Sequence, residues 1–468
     1  MSEEKEKKLL NENIEQFDSD KTNDKLFKEK RKIFILKGIS SLISCIIHIF
    51  GCYSLWNFGN SFVYLISFRR YYNPNLTFSY GYFLIPIMNI TLSLTSPIGG
   101  IIEDKIGGKK TIFLSSIILC VSLFSMYFSR SIFIDYIIMS QIGLGLAVGI
   151  NITRKNACSY FMNRKVLIYG IINLVPSIFG IGLNIFNEKY ILNPLSENPT
   201  IDNLYYGKNI FLNFQKLIIF EIGLLIFIFF ATLILYFQNN PKETIEFGFN
   251  EIINEDKIKS SKQNNNKLNK ISKKKNIDNS YYNIRAIKLF LMIFSFFPTI
   301  HLMNNTWRPI GIYYKIKTYY LQIVGALYSS ACCLTSITMA LIGDKIKFKY
   351  IFIMFAFILT IVAFSFPLSF NNPFLFIFNV MCISFIYNGY NIIIDPYMIK
   401  IYGIDNYIKI GGAIRASEGV CEIFSIIFAF YLENYISLNK DYIYKFMFII
   451  SGCFNLLSLI LGFYENEE

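Results

Sequence analysis

Twelve apolar runs, each long enough to cross a bilayer, dominate this chain and fall into two sets of six. The first set lies at about 38–66, 79–100, 111–129, 132–153, 165–186 and 214–238. The second lies at about 288–314, 318–342, 350–370, 373–397, 409–432 and 442–464. A helical span needs roughly 20 apolar residues. Lipid offers no partner to a free backbone N–H, so each run is predicted to be a helix. The connections between neighbours are short, which makes consecutive helices antiparallel. Composition agrees: 53% of residues are hydrophobic, 17% aromatic and only 16% charged, against about 25% charged in a soluble domain. The mean hydropathy is +0.42. A disordered, collagen-like or soluble nucleic-acid-binding chain is excluded. The expected fold class is an all-α membrane protein with twelve transmembrane helices in two six-helix halves. Its parts are a basic tail 1–37, a half 38–238, a Lys/Asn-rich linker 239–287, a half 288–464 and a tail 465–468.

The formal net charge is +13, from 45 Lys and Arg against 32 Asp and Glu. Basic residues concentrate in Lys5 to Lys37 and Lys242 to Lys288. Both segments are expected to be mobile and to face lipid headgroups rather than nucleic acid. With both termini cytoplasmic, 33 basic residues fall on cytoplasmic flanks, 10 on the outer side and 2 in spans. The reversed topology would invert that ratio and break the positive-inside rule. Asn75-Leu76-Thr77 is a glycosylation sequon in the first outer loop, whereas Asn89, Asn151 and Asn304 head sequons inside predicted spans. Nine cysteines without a Cys-x-x-Cys pair, and only two histidines, argue against a disulfide framework or a zinc site. The acidic residues Glu3, Glu4, Glu6 and Asp18 disfavour a transit peptide, so the first span is expected to act as its own signal anchor. No cofactor is expected. The plasma membrane is the default location, an organelle membrane the alternative.

The most specific local pattern joins spans 2 and 3: Gly100-Ile-Ile-Glu103-Asp104-Lys105-Ile106-Gly107-Gly108-Lys109-Lys110. Gly100 permits close helix approach, Asp104 can accept hydrogen bonds at a helix end, and Gly107 and Gly108 suit a tight turn in a ten-residue loop. This stretch resembles the signature loop of the major facilitator superfamily, Gly-x-x-x-Asp-Arg/Lys-x-Gly-x-Arg/Lys-Arg/Lys. A degenerate copy, Gly343-Asp344-Lys345-Ile346-Lys347-Phe348-Lys349, follows span 8, as a duplicated six-helix unit would leave. Two further stretches are Gly51-Cys-Tyr53-Ser-Leu-Trp56-Asn57-Phe-Gly59-Asn60 and Tyr160-Phe161-Met162-Asn163-Arg164-Lys165. Both resemble the oxalate–formate antiporter and monocarboxylate transporter branch, with Asn57, Tyr160 and Met162 departing from its pattern. The resemblance implies a secondary transporter working by alternating access, moving a small organic anion.

Four residues of span 1, Tyr53, Trp56, Asn57 and Asn60, sit at i, i+3, i+4 and i+7 and share one helix face. His301, Asn304, Asn305 and Arg308 repeat that spacing in span 7. Spans 1 and 7 are equivalent under duplication, so the two faces are expected to confront each other across a central cavity. There Arg308 would bind an anionic group through its planar fork. The alternative is that Arg308 only reaches the outer headgroups. Arg415, Glu418 and Glu422 form a stripe on span 11, and Asn388, Asn391 and Asp395 another on span 10. Arg415 lies about 9 Å into its span. It suits a gating ion pair with Glu418 or with the Asp104 loop, while Glu418 or Glu422 suits proton coupling. His48 and Glu221 read as singletons bonded to neighbouring helices. Gly143, Gly145, Gly149, Gly411 and Gly412 read as close helix contacts.

An ATP-driven pump is disfavoured because no Gly-x-x-x-x-Gly-Lys-Ser/Thr occurs, and no nucleophile–base pair or metal cluster marks an enzyme. A non-transporting sensor lacks its usual folded cytoplasmic extension. The expected protein is a monomeric carrier of a small organic anion, with protons as a candidate coupling ion. A neutral solute such as a sugar, amino acid or drug-like compound is the alternative, since the Asn-rich faces suit hydroxyl groups equally well.

Overall fold

A computed structural model describes residues 3–58, 62–76, 78–186, 208–239, 243, 279–316, 318–404, 406–435 and 440–465. The first half comprises α1 (Glu3–Phe58), a short α2 (Phe62–Arg70), α3 (Leu84–Ile106), α4 (Gly108–Phe128), α5 (Ile132–Tyr160), α6 (Lys165–Phe186) and α7 (Lys208–Leu235). The second comprises α8 (Asn279–Phe296), α9 (Pro298–Tyr313), α10 (Thr318–Ile342), α11 (Phe348–Ser365), α12 (Pro373–Tyr402), α13 (Gly412–Tyr435) and α14 (Lys440–Phe463). With α8 and α9 stacked end to end, twelve helical columns result, and no strand occurs among the described residues. Among the described residues, ten helices are long and apolar enough to cross a membrane. Column 11, α13, is less apolar because it carries Arg415, Glu418 and Glu422.

The polarity of the bundle is inverted relative to a soluble protein. Arg69, Asp135, Asp395 and Glu422 are buried, while Phe227 and Ile234 are 71% and 73% exposed. Lipid solvates the outer aromatics, and charges survive only where the bundle supplies partners.

Several boundaries differ from the sequence reading, each for a local reason. α1 runs without a break from Glu3, where a mobile tail was expected, because no Gly or Pro precedes Gly38. Its described part reaches Phe58, and α2 takes up the chain at Phe62. Span 7 is not one helix: Pro298 has no N–H to continue the ladder, and the chain restarts as α9 with His301 N–H bonded to the Phe297 carbonyl at 3.0 Å. The loop between spans 2 and 3 shrinks to one residue. Gly107, at φ +83°, donates its N–H to the Glu103 carbonyl at 2.8 Å, and α4 begins at Gly108. Such a turn strains any side-chain-bearing residue. Glu103, Asp104 and Lys105 therefore sit on the last turn of α3. Gly108 is helical and serves close approach instead, its Cα facing the Tyr236 hydroxyl.

Helix crossings at small residues set the packing of each half. At Gly143 of α5 a Cβ would run into the Met88 carbonyl of α3, so only glycine lets the two helices meet there. Opposite the Asp104 end, Arg69 of α2 clamps the start of α5. Its Nε donates to Asp135 Oδ2 at 2.6 Å and its Nη2 to Oδ1 at 2.8 Å, both side chains buried. Asn75 is exposed at this same end. The halves meet where α3 packs on α13 and α6 on α10.

Candidate functional site

Helices α5, α12 and α13 carry three charged residues to one point between the halves. Asp395 of α12 is fully buried and lies between two guanidinium groups. Arg415 of α13 approaches its Oδ1 with Nε at 3.0 Å and Nη2 at 2.8 Å. From the other half, Arg154 of α5 places Nη1 3.6 Å from Oδ2. Two further donors are used locally: Arg154 Nη2 donates to Asn173 Oδ1 at 3.1 Å, and Arg415 Nη1 to Asn391 Oδ1 at 3.4 Å. Beside them, the hydroxyls of Tyr169 (α6) and Tyr407 share a hydrogen bond at 3.2 Å across the halves. Charges at this depth persist when each has a partner or faces a cavity, and here a shared carboxylate supplies the partner.

Further along α13, Glu422 is fully buried against α9. His301 Nδ1 contacts its Oε2, and Asn305 Nδ2 donates to its Oε1 at 2.8 Å. The break at Pro298 starts α9 afresh and sets His301 and Asn305 on the face turned to α13. Glu418, one turn before Glu422, accepts from the Tyr390 hydroxyl at 3.4 Å and lies 3.9 Å from Arg415 Nη1. Asn304 accepts from the Tyr328 hydroxyl of α10 at 3.4 Å. Tyr53 of α1 is within electrostatic reach of Arg154, Tyr328 and Tyr387. Tyr53, Asn304, Tyr328, Tyr387 and Asn391 are all half-buried. They form a polar wall contributed by both halves at the depth of the ionic bridge.

Beyond the bridge, two contacts join the halves on the Asp104 face. Asp104 pairs with Lys409 just before α13, both side chains about half exposed. Asp344 of the degenerate loop accepts the backbone N–H groups of Val166 and Leu167 at 3.1 Å each, capping α6 of the other half. The two loops thus hold equivalent helices, α13 and α6, in a reciprocal arrangement.

Of the residues singled out in the sequence, the structure joins Asp395, Arg415 and Glu418, and separately His301, Asn305 and Glu422. Asn304 stands beside the second group. The expected contact of Arg415 with the Asp104 loop is not made: Arg415 turns inward to Asp395, and Lys409, six residues earlier, reaches Asp104. On the polar face of span 7, His301 and Asn305 engage α13 and Asn304 engages α10 of the same half. The side chains of Trp56, Asn57 and Arg308, and all of Asn60, lie outside the described residues. Arg154 and its partner Asn173 escaped the sequence reading. The apolar window ends at 153 because the Arg154-Lys155 pair looks like a flanking charge, although Asn151, Arg154 and Cys158 share a face at i, i+3 and i+7. Among the described residues no group of His, Cys, Asp and Glu is arranged to hold a metal ion.

No family profile and no curated protein matches the sequence. Solved structures do. One is the proton:xylose symporter XylE of the major facilitator superfamily, bound to 6-bromo-6-deoxy-D-glucose. It aligns with a TM-score of 0.64 at 12% identity, covering 91% of this chain and 94% of that one. The human organic anion transporter MFSD10 (TETRAN) aligns at 0.59 and 10% identity, covering 92% and 99%. A mutant of the nucleoside transporter NupG aligns at 0.55 and 12% identity, covering 91% and 99%. This protein is a multi-pass membrane protein with the twelve-helix major facilitator fold.

Proposed function

We propose that this protein is a secondary transporter of a small polar organic solute, working by alternating access around the wall of Tyr53, Asn304, Tyr328, Tyr387 and Asn391. The observation that carries the reading is the ionic bridge Arg154–Asp395–Arg415. In this reading it closes the path between the halves on the Asp104 side and parts between Arg154 of one half and the Asp395–Arg415 pair of the other. In this reading the halves 38–238 and 288–464 rock as bodies, the segment 239–287 links them, and the Asp104 face is cytoplasmic. The chain works as a monomer.

A neutral, hydroxylated solute fits the wall best, because its tyrosines and asparagines offer both donors and acceptors. The proteins of the aligned structures include a xylose symporter and a nucleoside transporter. An organic anion of the monocarboxylate kind is the second reading. It is favoured by Arg308 and by the resemblance of the span 1 and post-span 4 stretches, and one aligned structure is an organic anion transporter. Arg415 adds nothing to it, since that guanidinium is already paired with Asp395.

Uptake of radiolabelled hexoses, nucleosides and monocarboxylates into proteoliposomes tests both readings. Neutral-solute uptake that survives Arg308→Ala but falls at least tenfold in Asn304→Ala is expected. Carboxylate uptake abolished by Arg308→Ala would establish the second reading. If no solute accumulates or exchanges, the transporter reading fails.

A further inference from the structure

Among the described side chains, the charged groups around the polar wall do not balance. Arg154 and Arg415 bring two positive charges, while Asp395, Glu418 and Glu422 bring three negative ones. Asp395 and Glu418 are matched by the two arginines. Glu422, fully buried, is left with an uncharged amide, Asn305, and with His301. A buried carboxylate with no counter-charge is costly. Among the described side chains, His301 is the neighbour able to supply one, and imidazole changes charge near neutral pH.

The contacts of the ring define how. Nδ1 lies against Glu422 Oε2, which leaves Nε2 as the other ring nitrogen able to take a proton. Nε2 is buried and has no hydrogen-bond partner among the described residues. The ring is 7% exposed and lies against Phe297, centroids 5.0 Å apart, which fixes its plane. Glu418 of α13 is within electrostatic reach, while the neighbouring groups on α12 and α10, Tyr387, Tyr390 and Tyr328, bring no positive charge.

The geometry points to His301, held by Glu422 and Asn305, as the proton-binding site of the transport cycle, with Nε2 taking the proton. Protonation turns the ring into an imidazolium, matches Glu422, and brings the tally to three charges of each sign. Release of the proton from Nε2 restores the unbalanced state. Because His301 stands on α9 and Glu422 on α13, occupancy of this site decides how firmly the α9 part of column 7 adheres to column 11. The inference rests on the transporter reading for the use made of the proton. The proton site itself can be tested without any solute.

The chain has only two histidines, so nitrogen NMR of protein labelled with 15N-histidine in lipid bilayers reports two imidazoles, and His48→Gln assigns them. His48 is wholly buried in α1 with Cys52 Sγ 3.9 Å from its Nδ1 and serves as the reference. The His301 ring is expected to pass from two ring protons to one as the pH rises. In Glu422→Gln its midpoint should move down by about one pH unit or more, and in Glu422→Asp it should stay near the wild-type value. A ring that is neutral from pH 5 upward in the wild type, or a midpoint unmoved by Glu422→Gln, overturns the proposal. Thermal unfolding guards against a variant that misfolds. His301→Asn should unfold at a lower temperature, and His301→Asn with Glu422→Gln should recover, because the double variant is balanced without a proton. Failure of the double variant to recover would also overturn it. A protein whose His301 titrates as expected yet moves no solute would sink the transporter reading while leaving the proton site in place.

Discussion

At the scale of single residues, the same kind of group has different worth depending on where the fold puts it. Asp395 and Asp104 both pair with basic residues. Asp395 is fully buried between Arg154 and Arg415, so removing its charge strands two guanidinium groups. Breaking a buried pair from one side costs about 3–5 kcal/mol. Asp395→Asn is therefore expected to lower the unfolding temperature sharply in detergent, and Arg154→Gln less, because Asp395 keeps Arg415. Asp104 is about half exposed, and a pair so open to solvent contributes under about 1 kcal/mol. Asp104→Asn should leave the unfolding temperature nearly unchanged in the same assay. Sequence reading found both aspartates, but their difference lies in burial. Arg154 was the opposite case: a charge that ends an apolar window looks like a flank until α6 and α12 are seen to enclose it.

Elements depend on a few backbone features. The spacing of apolar residues marks twelve columns, and the structure keeps them, but it moves their ends wherever Pro or Gly acts. Pro298 splits column 7 and thereby orients His301 and Asn305. Gly107 turns α3 into α4 in a single residue, which no hydropathy window resolves. Glycines inside helices are not equivalent either. A Cβ at Gly143 would meet the backbone of α3, whereas one at Gly223 in α7 would meet nothing within 4 Å. Gly143→Ala should destabilise by about 1–3 kcal/mol through overpacking. Gly223→Ala should be neutral or stabilising by up to about 1 kcal/mol, since alanine favours the helix. Comparing the unfolding midpoints of the two variants checks this contrast.

For the whole molecule, the contacts between halves on the Asp104 side add up: the Arg154 bridge, the Asp344 cap on α6 and the Lys409 pair. In the alternating-access reading proposed above, each 1.4 kcal/mol removed from that sum raises the population of the open form about tenfold. Cys158 is wholly buried on α5, one turn beyond Arg154 on the same face. In a variant retaining only this cysteine, Asp344→Ala with Lys409→Ala should raise its maleimide labelling rate by about tenfold. An unchanged rate would mean that these contacts do not hold the halves together. The sequence by itself determined that the chain spans a membrane many times, in two sets of six helices joined by a polar linker. Those properties follow from hydropathy and period, which are local and additive along the chain. It also marked most of the charged residues of the interior, because a charge inside an apolar run has few harmless places to go. Which charge meets which was decided only by tertiary structure. Arg154 with Asp395, His301 with Glu422 and Asp344 with the start of α6 are pairings between distant segments, and their partners depend on how columns pack rather than on any interval in the sequence.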